Sequence, residues 1–158
     1  MPMSKTSLSW VRLEGRSGHE AGRALLAAAY REKTGEEMPP IRIGHWGKPY
    51  FEGSDLHFSI SHTKNHAFCA LSEGPVGIDA EEEVRNVSLR LAPKILSPGE
   101  MERFDGTQEM LLRFWVLKEA SVKLTGLGLQ GYPNHTDFDP HDPRIQKIDG
   151  CLVAVLEE

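Results

Sequence analysis

A short predicted strand, Val76–Glu81, constrains the fold of this chain more than any other stretch. Side chains alternate along a strand, so Asp79 and Glu81 project from the same face with their Cα atoms about 6.5–7 Å apart. Two carboxylates at this spacing suit Mg²⁺, which leaves further positions for water and phosphate oxygens. The alternative is an acidic strand end that is merely solvated. Glu82 and Glu83 extend the acidic run, which leaves the second ligand open. We expect Glu81 because it shares a face with Asp79.

A long predicted helix, from Thr107 as its N-cap to about Leu124, supplies a third carboxylate. Trp115, Glu119 and Lys123 recur at intervals of four residues and therefore share one side of this helix. Glu119 and Lys123 alone would form an ordinary surface ion pair, but a tryptophan on the same stripe favours partial burial. If the helix packs against the strand, three carboxylates and a lysine meet at a place suited to a divalent cation and a phosphate.

The other predicted elements surround these two. Leu56–His62 alternates apolar and polar side chains, and a turn at 63–65 joins it to an apolar strand at 67–71, which together predict a hairpin. Because the 76–81 strand follows directly, we expect all three strands to lie side by side in one antiparallel sheet. Further strands are predicted at 8–13, 41–43 and 151–156, helices at 19–33, 89–95 and from Ser97, a turn at Gly47–Phe51, and a buried helix stripe at Ala21, Leu25, Ala28 and Ala29.

The composition argues against several classes of protein. A length of 158 residues with 39% apolar and 26% charged residues is typical of a folded domain rather than a disordered chain. The net charge of −5 does not favour a general nucleic-acid binder. Cys69 and Cys151 lie in apolar segments and not in a C-x-x-C spacing, so we expect buried, reduced thiols. Met1–Lys5 leads into no apolar leader and no segment approaches membrane-spanning length, so we expect a soluble, cytoplasmic protein.

Five motifs occur in an order that resembles one family, the Sfp-type 4′-phosphopantetheinyl transferases. They are Gly47-Lys48-Pro49, Ser59-Ile60-Ser61-His62-Thr63, Gly77-Ile78-Asp79-Ala80-Glu81, Leu96-Ser97-Pro98-Gly99-Glu100 and Trp115-Val116-Leu117-Lys118-Glu119-Ala120-Ser121-Val122-Lys123. The last resembles the family's W-x-x-K-E-A-x-x-K helix. Arg23 also looks like the basic residue on the family's first helix. The resemblance covers roughly residues 19–130.

The resemblance implies an α+β fold, the 4′-phosphopantetheinyl transferase-like fold, with two pseudo-twofold-related halves, each an antiparallel sheet packed on a long helix. The N-terminal half would span residues 1–73, with the first helix, the G-K-P turn and the hairpin. The C-terminal half would span residues 74–158, with the D-x-E strand, the signature helix and the C-terminal strand. The shorter, trimeric transferase class begins with its D-x-E strand, whereas about seventy-five residues precede that strand here, which favours two halves in one chain.

The resemblance also implies a reaction, the transfer of 4′-phosphopantetheine from coenzyme A to a serine of an apo carrier protein with release of adenosine 3′,5′-bisphosphate. By the family pattern, Asp79, Glu81 and Glu119 hold Mg²⁺. Glu119 is also the proposed base, acting directly or through a water, and Lys123 neutralises the pyrophosphate. The residues expected to bind coenzyme A are Lys48, Ser61, His62, Arg23 and Lys118.

The expected partner is an acyl or peptidyl carrier protein of fatty-acid, polyketide or nonribosomal-peptide synthesis. The stretch 89–104, with Arg90, Leu91, Lys94 and Ile95, is the candidate surface for an acidic carrier. No nucleic-acid or membrane partner is expected; a monomer is the expected assembly, with a homodimer as the alternative. Two other functions share part of the pattern. A metal-dependent nucleotide phosphohydrolase would use the carboxylates without needing the signature helix, and a non-catalytic homologue would bind coenzyme A or the carrier without turnover.

Overall fold

Two three-stranded antiparallel sheets, each packed against a long helix, form the core of the computed structural model, which describes residues 5–158. The prediction made for the N-terminal leader concerns mainly residues 1–4 and lies outside the described residues. The strands are β1 (Thr6–Arg12), β2 (Ile41–Ile43), β3 (Pro49–Phe51), β4 (His57–His62), β5 (His66–Ser72), β6 (Val76–Glu82), β7 (Ile145–Ile148) and β8 (Cys151–Glu157); the α-helices are α1 (Gly18–Thr34), α2 (Ala92–Ile95), α3 (Pro98–Arg103) and α4 (Gln108–Thr125), with 3-10 turns at Leu89–Leu91 and Gly128–Gly131.

The first sheet has the order β1-β5-β4, and α1 covers one of its faces. The β4–β5 hairpin predicted from the sequence is confirmed, with Phe58 opposite Leu71. The helix α1 begins at the N-cap Ser17, whose hydroxyl accepts from a backbone N–H. It ends at Gly35, which adopts φ 76°, a left-handed conformation that glycine reaches without strain. Leu26 then packs in one apolar cluster with strands β4 and β5.

The buried face of α1 differs from the predicted stripe. Ala21, Gly22, Leu26 and Tyr30 are buried, whereas Ala28 is exposed, so its place in the stripe was wrong. Gly22 is part of the contact surface because a Cβ at this position would lie 2.5 Å from Ile60 Cγ2. Glycine is a poor helix former and does not enter an apolar pattern, which is why the sequence did not reveal this face. The predicted turn after Gly47 is also shorter than expected, since Pro49–Phe51 forms β3 and pairs with β2.

The second sheet has the order β6-β8-β7, and α4 covers one of its faces. The limits of α4 match the prediction closely, because the Thr107 hydroxyl caps its first turn and Gly126, with φ 70°, ends it. The strand β7 was missed, since its four residues follow a series of Asp-Pro turns and include Gln146 and Lys147. The helix α3 starts at Ser97 as predicted, and a capping box closes its first turn, with Ser97 and Glu100 each accepting the other's backbone N–H.

The prediction that three consecutive strands share one sheet was wrong. Strand β5 is already flanked on both sides, by β1 and β4, so β6 pairs with β8 instead. Strand β6 nevertheless lies beside β4, and serine side chains take the place of a backbone ladder. The Ser59 hydroxyl accepts from the Ile78 N–H at 3.0 Å, and the Ser61 hydroxyl accepts from the Ala80 N–H at 3.1 Å. These two bonds join the first sheet to the second.

We expect Ser59→Ala to lower the free energy of unfolding by about 1–3 kcal/mol, because it leaves the buried Ile78 N–H without an acceptor. Urea unfolding of the two proteins measures this difference. The matched control is Ser9→Ala, since the Ser9 hydroxyl is buried but has no partner among residues 5–158. A Ser59→Ala loss no larger than that of the control would contradict the role assigned to this hydroxyl.

Both cysteines are buried free thiols, as predicted. Within residues 5–158, none of the helices has the length and apolar character needed to cross a membrane.

Candidate active site

The signature helix α4 lies directly against strand β6, which confirms the packing on which the predicted site depends. Gly77 permits this approach, because a Cβ there would overlap the carbonyl oxygen of Ala120 and lie 2.5 Å from the backbone nitrogen of Leu124. The contact brings the exposed edge of α4 to the end of β6. Trp115 Nε1 donates to Glu81 Oε1 at 3.0 Å, and Lys123 Nζ donates to Asp79 Oδ1 at 3.4 Å.

Asp79 lies at the centre of the site and is almost completely buried. Its Oδ1 accepts from Ser61 Oγ at 3.3 Å and from Lys123, whereas its Oδ2 has no hydrogen-bond partner among residues 5–158. Burial raises the pKa of Asp79 to about 7, and Lys123 offsets only part of this effect. A buried carboxylate oxygen without a partner is costly, so this atom is placed to bind a further donor or a cation.

Glu81, and not its neighbours, faces α4. It accepts from Trp115 and forms an ion pair with Arg85 Nη1 at 2.6 Å. Glu82 points the other way, as alternation along β6 requires, and accepts from the loop between β4 and β5. Glu83 forms an ion pair with Lys147 Nζ at 3.1 Å. Of the acidic run, Glu81 is therefore the residue whose side chain lies on the α4 side of β6.

Glu119, on α4, is the third carboxylate predicted for the site. Its side chain is half-buried, and burial raises its pKa, with Glu81 adding to the effect and Lys123 opposing it. Glu81 and Glu119 in turn raise the pKa of Asp79, so the three carboxylates act on one another. All three supply only oxygen ligands, the type that a small hard cation such as Mg²⁺ prefers, and Asp79 Oδ2 has no partner among residues 5–158. Their oxygens do not all lie within 4.8 Å of one another in this part of the chain, so binding one ion together requires side-chain movement.

We expect Asp79→Asn to stabilise the metal-free protein at pH 8 by on the order of 1–4 kcal/mol, because asparagine removes a buried charge. Native Asp79 keeps its proton to higher pH than the unfolded chain does. Wild-type stability should therefore fall as the pH rises from about 4 to about 7. Thermal unfolding in EDTA across this range measures the effect.

Added Mg²⁺ should raise the melting temperature of the wild type and leave that of Asp79→Asn almost unchanged. An asparagine variant less stable than the wild type in EDTA at pH 8 would show that the Asp79 charge is adequately paired without a cation.

Lys48 joins the N-terminal half to the site. Its ammonium donates to the carbonyl oxygens of Val76 at 3.3 Å and Leu124 at 3.0 Å, and burial lowers its pKa. A cleft of about 280 Å³ opens between the G-K-P turn, β4 and α4. Lys48 and Lys123 both line this cleft, together with apolar side chains of β4 and α4 such as Ile60 and Val122.

The other residues predicted to bind coenzyme A have different surroundings. The Ser61 hydroxyl is occupied by Asp79 and the Ala80 N–H, so it positions Asp79. His62 is exposed, and its ring packs on Gly18 at the start of α1. His62 and Glu81 line the same pocket of about 540 Å³. Arg23 is half-buried and forms no ion pair with another residue in the 5–158 range.

Lys118 is not placed to bind coenzyme A, and that prediction is corrected. Its side chain is fully buried, points in a different direction from Glu119, and forms an ion pair with Glu100 Oε1 at 2.6 Å. It also donates to the carbonyl oxygens of Pro133 at 2.7 Å and Thr136 at 3.3 Å. Adjacent residues of a helix point about 100° apart, so Lys118 points into the core while Glu119 points towards the carboxylate site.

Arg85 is the site residue that sequence reasoning missed. It lies beyond the end of β6, four residues after Glu81, and its guanidinium is half-exposed. The i, i+4 spacing was visible, but such a spacing indicates an ion pair on a helix and not after a strand.

Comparison with known proteins agrees with this geometry. A family profile described as the 4′-phosphopantetheinyl transferase superfamily matches residues 75–152, the segment that contains β6, α4 and most of the carboxylate site. A 4′-phosphopantetheinyl transferase of Bacillus subtilis is 30% identical over 116 residues, covering 68% of this chain and 51% of the relative. The transferase HetI of a Nostoc species is 32% identical over 129 residues, covering 73% and 54%.

The transferase AcpT of Escherichia coli K12 is 38% identical over 114 residues, covering 67% of this chain and 56% of the relative. This chain spans about half the length of these relatives. The matched segment contains the elements that bring Asp79, Glu81, Glu119 and Lys123 together. The segment 75–152 therefore belongs to the 4′-phosphopantetheinyl transferase superfamily.

Proposed function

We propose that the protein is a Mg²⁺-dependent 4′-phosphopantetheinyl transferase that modifies a serine of an apo acyl or peptidyl carrier protein. The observation that carries this proposal is the convergence of Asp79, Glu119 and Lys123 where α4 meets β6, within the segment that matches the superfamily. Phosphoryl transfer needs little covalent chemistry from the protein. It needs in-line positioning and neutralisation of charge, which this set of groups can provide.

Coenzyme A is the donor of the transferred group. The serine oxygen of the carrier attacks the β-phosphorus of coenzyme A, and the bond from that phosphorus to the bridging oxygen of the pyrophosphate breaks. The phosphopantetheine group stays on serine, adenosine 3′,5′-bisphosphate leaves, and the serine proton passes to Glu119 directly or through a water. Partial burial raises the pKa of Glu119, which makes its carboxylate a better proton acceptor than a solvated glutamate.

Asp79, Glu81 and Glu119 would hold the metal. Bound Mg²⁺ would supply positive charge to the pyrophosphate oxygens. Trp115 and Arg85 fix the Glu81 carboxylate, so this ligand is oriented before the substrate arrives. Lys123 lies 3.4 Å from Asp79 and lines the cleft, from which its ammonium can bind a phosphate oxygen.

Coenzyme A would extend from the carboxylates into the N-terminal half. Lys48 in the cleft, exposed His62 and Arg23, which has no ion-pair partner within residues 5–158, are the groups we assign to its phosphates and adenosine. We propose that the halves, residues 1–73 and 74–158, are related by a pseudo-twofold axis. Each half contributes a three-stranded sheet and a long helix, and the substrate would lie at their junction.

The carrier protein would dock on the 89–104 stretch. Leu89 and Leu91 expose 44% and 40% of their surface beside the exposed, basic Arg90 and Lys94, which suits an acidic partner. Ile95, predicted as part of this patch, is buried in the core and does not belong to it. We propose a monomer acting in the cytoplasm.

Incubation with coenzyme A, Mg²⁺ and an apo carrier protein, followed by mass spectrometry of the carrier, tests the proposed function. We expect the carrier to gain one phosphopantetheine group per molecule, and to gain none when EDTA replaces Mg²⁺. Hydrolysis of coenzyme A without modified carrier would indicate a phosphohydrolase. Binding of coenzyme A without either product would indicate a non-catalytic homologue.

A further inference from the structure

A second group of side chains of types that can bind metals lies at the end of the two sheets, on the opposite face of β6 from Glu81. His66 begins β5, Glu82 ends β6 and Cys151 begins β8, and one ligand atom from each lies within 4.8 Å of the other two. Within residues 5–158, no other three His, Cys, Asp or Glu side chains bring their ligand atoms this close together. We propose that His66, Glu82 and Cys151 bind one Zn²⁺ ion that fastens the first sheet to the second.

The separations fit a tetrahedral ion. Cys151 Sγ lies 3.4 Å from His66 Nδ1, which lies 3.5 Å from Glu82 Oε1. Zinc bonds of about 2.3 Å to sulfur and about 2.0–2.2 Å to nitrogen or oxygen, at tetrahedral angles, place neighbouring ligand atoms about 3.3–3.6 Å apart. Only small side-chain movements would therefore be needed for these atoms to share an ion.

The histidine is oriented for this role by a carboxylate on its other side. His66 Nε2 lies 2.7 Å from Asp149 Oδ2, and both Asp149 carboxylate oxygens accept from Arg12 at 2.7 Å. A carboxylate at Nε2 retains the proton there and leaves the Nδ1 lone pair facing Cys151 and Glu82. A histidine that donates to a carboxylate through one nitrogen and binds metal through the other is a recurring arrangement in zinc sites.

The turn between β7 and β8 places this carboxylate. Asp149 and Gly150 have φ values of 47° and 80°, as in the Asp-Gly turns that join short hairpins. A non-glycine residue at positive φ is uncommon, and aspartate is among the residues that tolerate it best. The tight turn therefore fixes the Asp149 side chain beside His66.

The set of ligands selects the metal. A thiol and an imidazole favour Zn²⁺ over Mg²⁺, which prefers oxygen alone. Glu82 lines the pocket of about 540 Å³ that it shares with Thr63 and Lys64, so the Glu82 side of the cluster borders solvent.

The ion would link three strands from both halves. His66 belongs to the first sheet, whereas Glu82 and Cys151 belong to neighbouring strands of the second. The Ser59 and Ser61 bonds join the same two sheets further along β4, so the metal would secure the end that those serines leave free. This role does not depend on the proposed transferase activity.

Titration of the purified, chelator-treated protein with Co²⁺ in excess Mg²⁺ tests the proposal, since cobalt replaces zinc and reports a thiolate ligand by a charge-transfer band in the near ultraviolet. We expect the band to saturate at one Co²⁺ per chain, Zn²⁺ to displace it, and Zn²⁺ to raise the melting temperature. Cys151→Ser should lose the band. The matched control Cys69→Ser removes the other buried thiol, which lies outside the cluster, and should keep it.

Two further variants keep the test decisive if Cys151→Ser fails to fold. Asp149→Asn should weaken Co²⁺ binding roughly 10–100-fold, because it removes the orienting carboxylate. Glu119→Gln should leave the band unchanged, since its carboxylate belongs to the other site. A wild-type protein that shows no thiolate band, or a Cys151→Ser variant that retains it, overturns the proposal whatever the outcome of the transferase assay.

Discussion

We expect Glu119→Gln to lower the rate of the proposed phosphopantetheine transfer by at least about 100-fold while the protein stays folded. Glutamine keeps the size of the side chain but removes the charge that would both bind Mg²⁺ and accept the serine proton. Glu119 is half-buried beside Glu81 and Asp79, and loss of its charge relieves repulsion among these groups. We therefore expect the melting temperature of the metal-free variant to equal or exceed that of the wild type.

The rate is measured as the mass gain of an apo carrier protein at saturating coenzyme A. The matched control is Glu109→Gln on the same helix, because Glu109 is 66% exposed and forms only a surface pair with Arg113. That variant should retain the wild-type rate. Titration with Mg²⁺ separates the two roles of Glu119: a lost ligand raises the Mg²⁺ concentration needed for half-maximal activity, whereas a lost base lowers the rate at saturating Mg²⁺. A wild-type rate in Glu119→Gln would contradict the assignment of the carboxylate site.

The residues of the site could be predicted because local rules fix them. Alternation along β6 places Asp79 and Glu81 on one face, and the four-residue spacing on α4 aligns Trp115, Glu119 and Lys123. The caps at Thr107 and Gly126 likewise depend on neighbouring residues only. Their meeting at one point required an additional fact, the close approach of the helix to Gly77, which a glycine in a strand only suggests.

The arrangement of the strands could not be predicted in the same way. Adjacent β-strands in the sequence often pair, and on that basis β4, β5 and β6 were expected to form one sheet. Strands that are distant in the sequence determine the pairing instead, because β1 pairs with β5 and β8 pairs with β6. The serines of the S-I-S-H motif were similarly ambiguous. Ser61 was expected to bind coenzyme A, yet its hydroxyl is taken up by β6.

Lys118→Met is expected to lower the free energy of unfolding by about 3–5 kcal/mol, the largest stability change that we predict. The substitution leaves Glu100 fully buried without its ion-pair partner, and removes the donor to two carbonyl oxygens of the 133–136 loop. Glu100 cannot simply turn to solvent, because its carboxylate accepts from the backbone N–H groups of Ser97 and Phe138, each at 2.8 Å.

Urea unfolding at pH 7 measures the loss, and Lys147→Met is the matched control. Lys147 pairs with Glu83 on the surface with 57% of its side chain exposed, so its replacement should cost less than about 1 kcal/mol. The double variant Glu100→Gln/Lys118→Met tests the cause. Glutamine carries no charge, but it keeps an oxygen for only one of the two N–H groups, because the Ser97 N–H binds Oε1 and the Phe138 N–H binds Oε2. Removing the unpaired charge should outweigh this lost acceptor, so the double variant should be more stable than Lys118→Met alone. A double variant that is less stable than Lys118→Met would mean that an unpaired charge on Glu100 does not account for the effect. A single variant within about 1 kcal/mol of the wild type would contradict the structural role assigned to the Lys118–Glu100 pair.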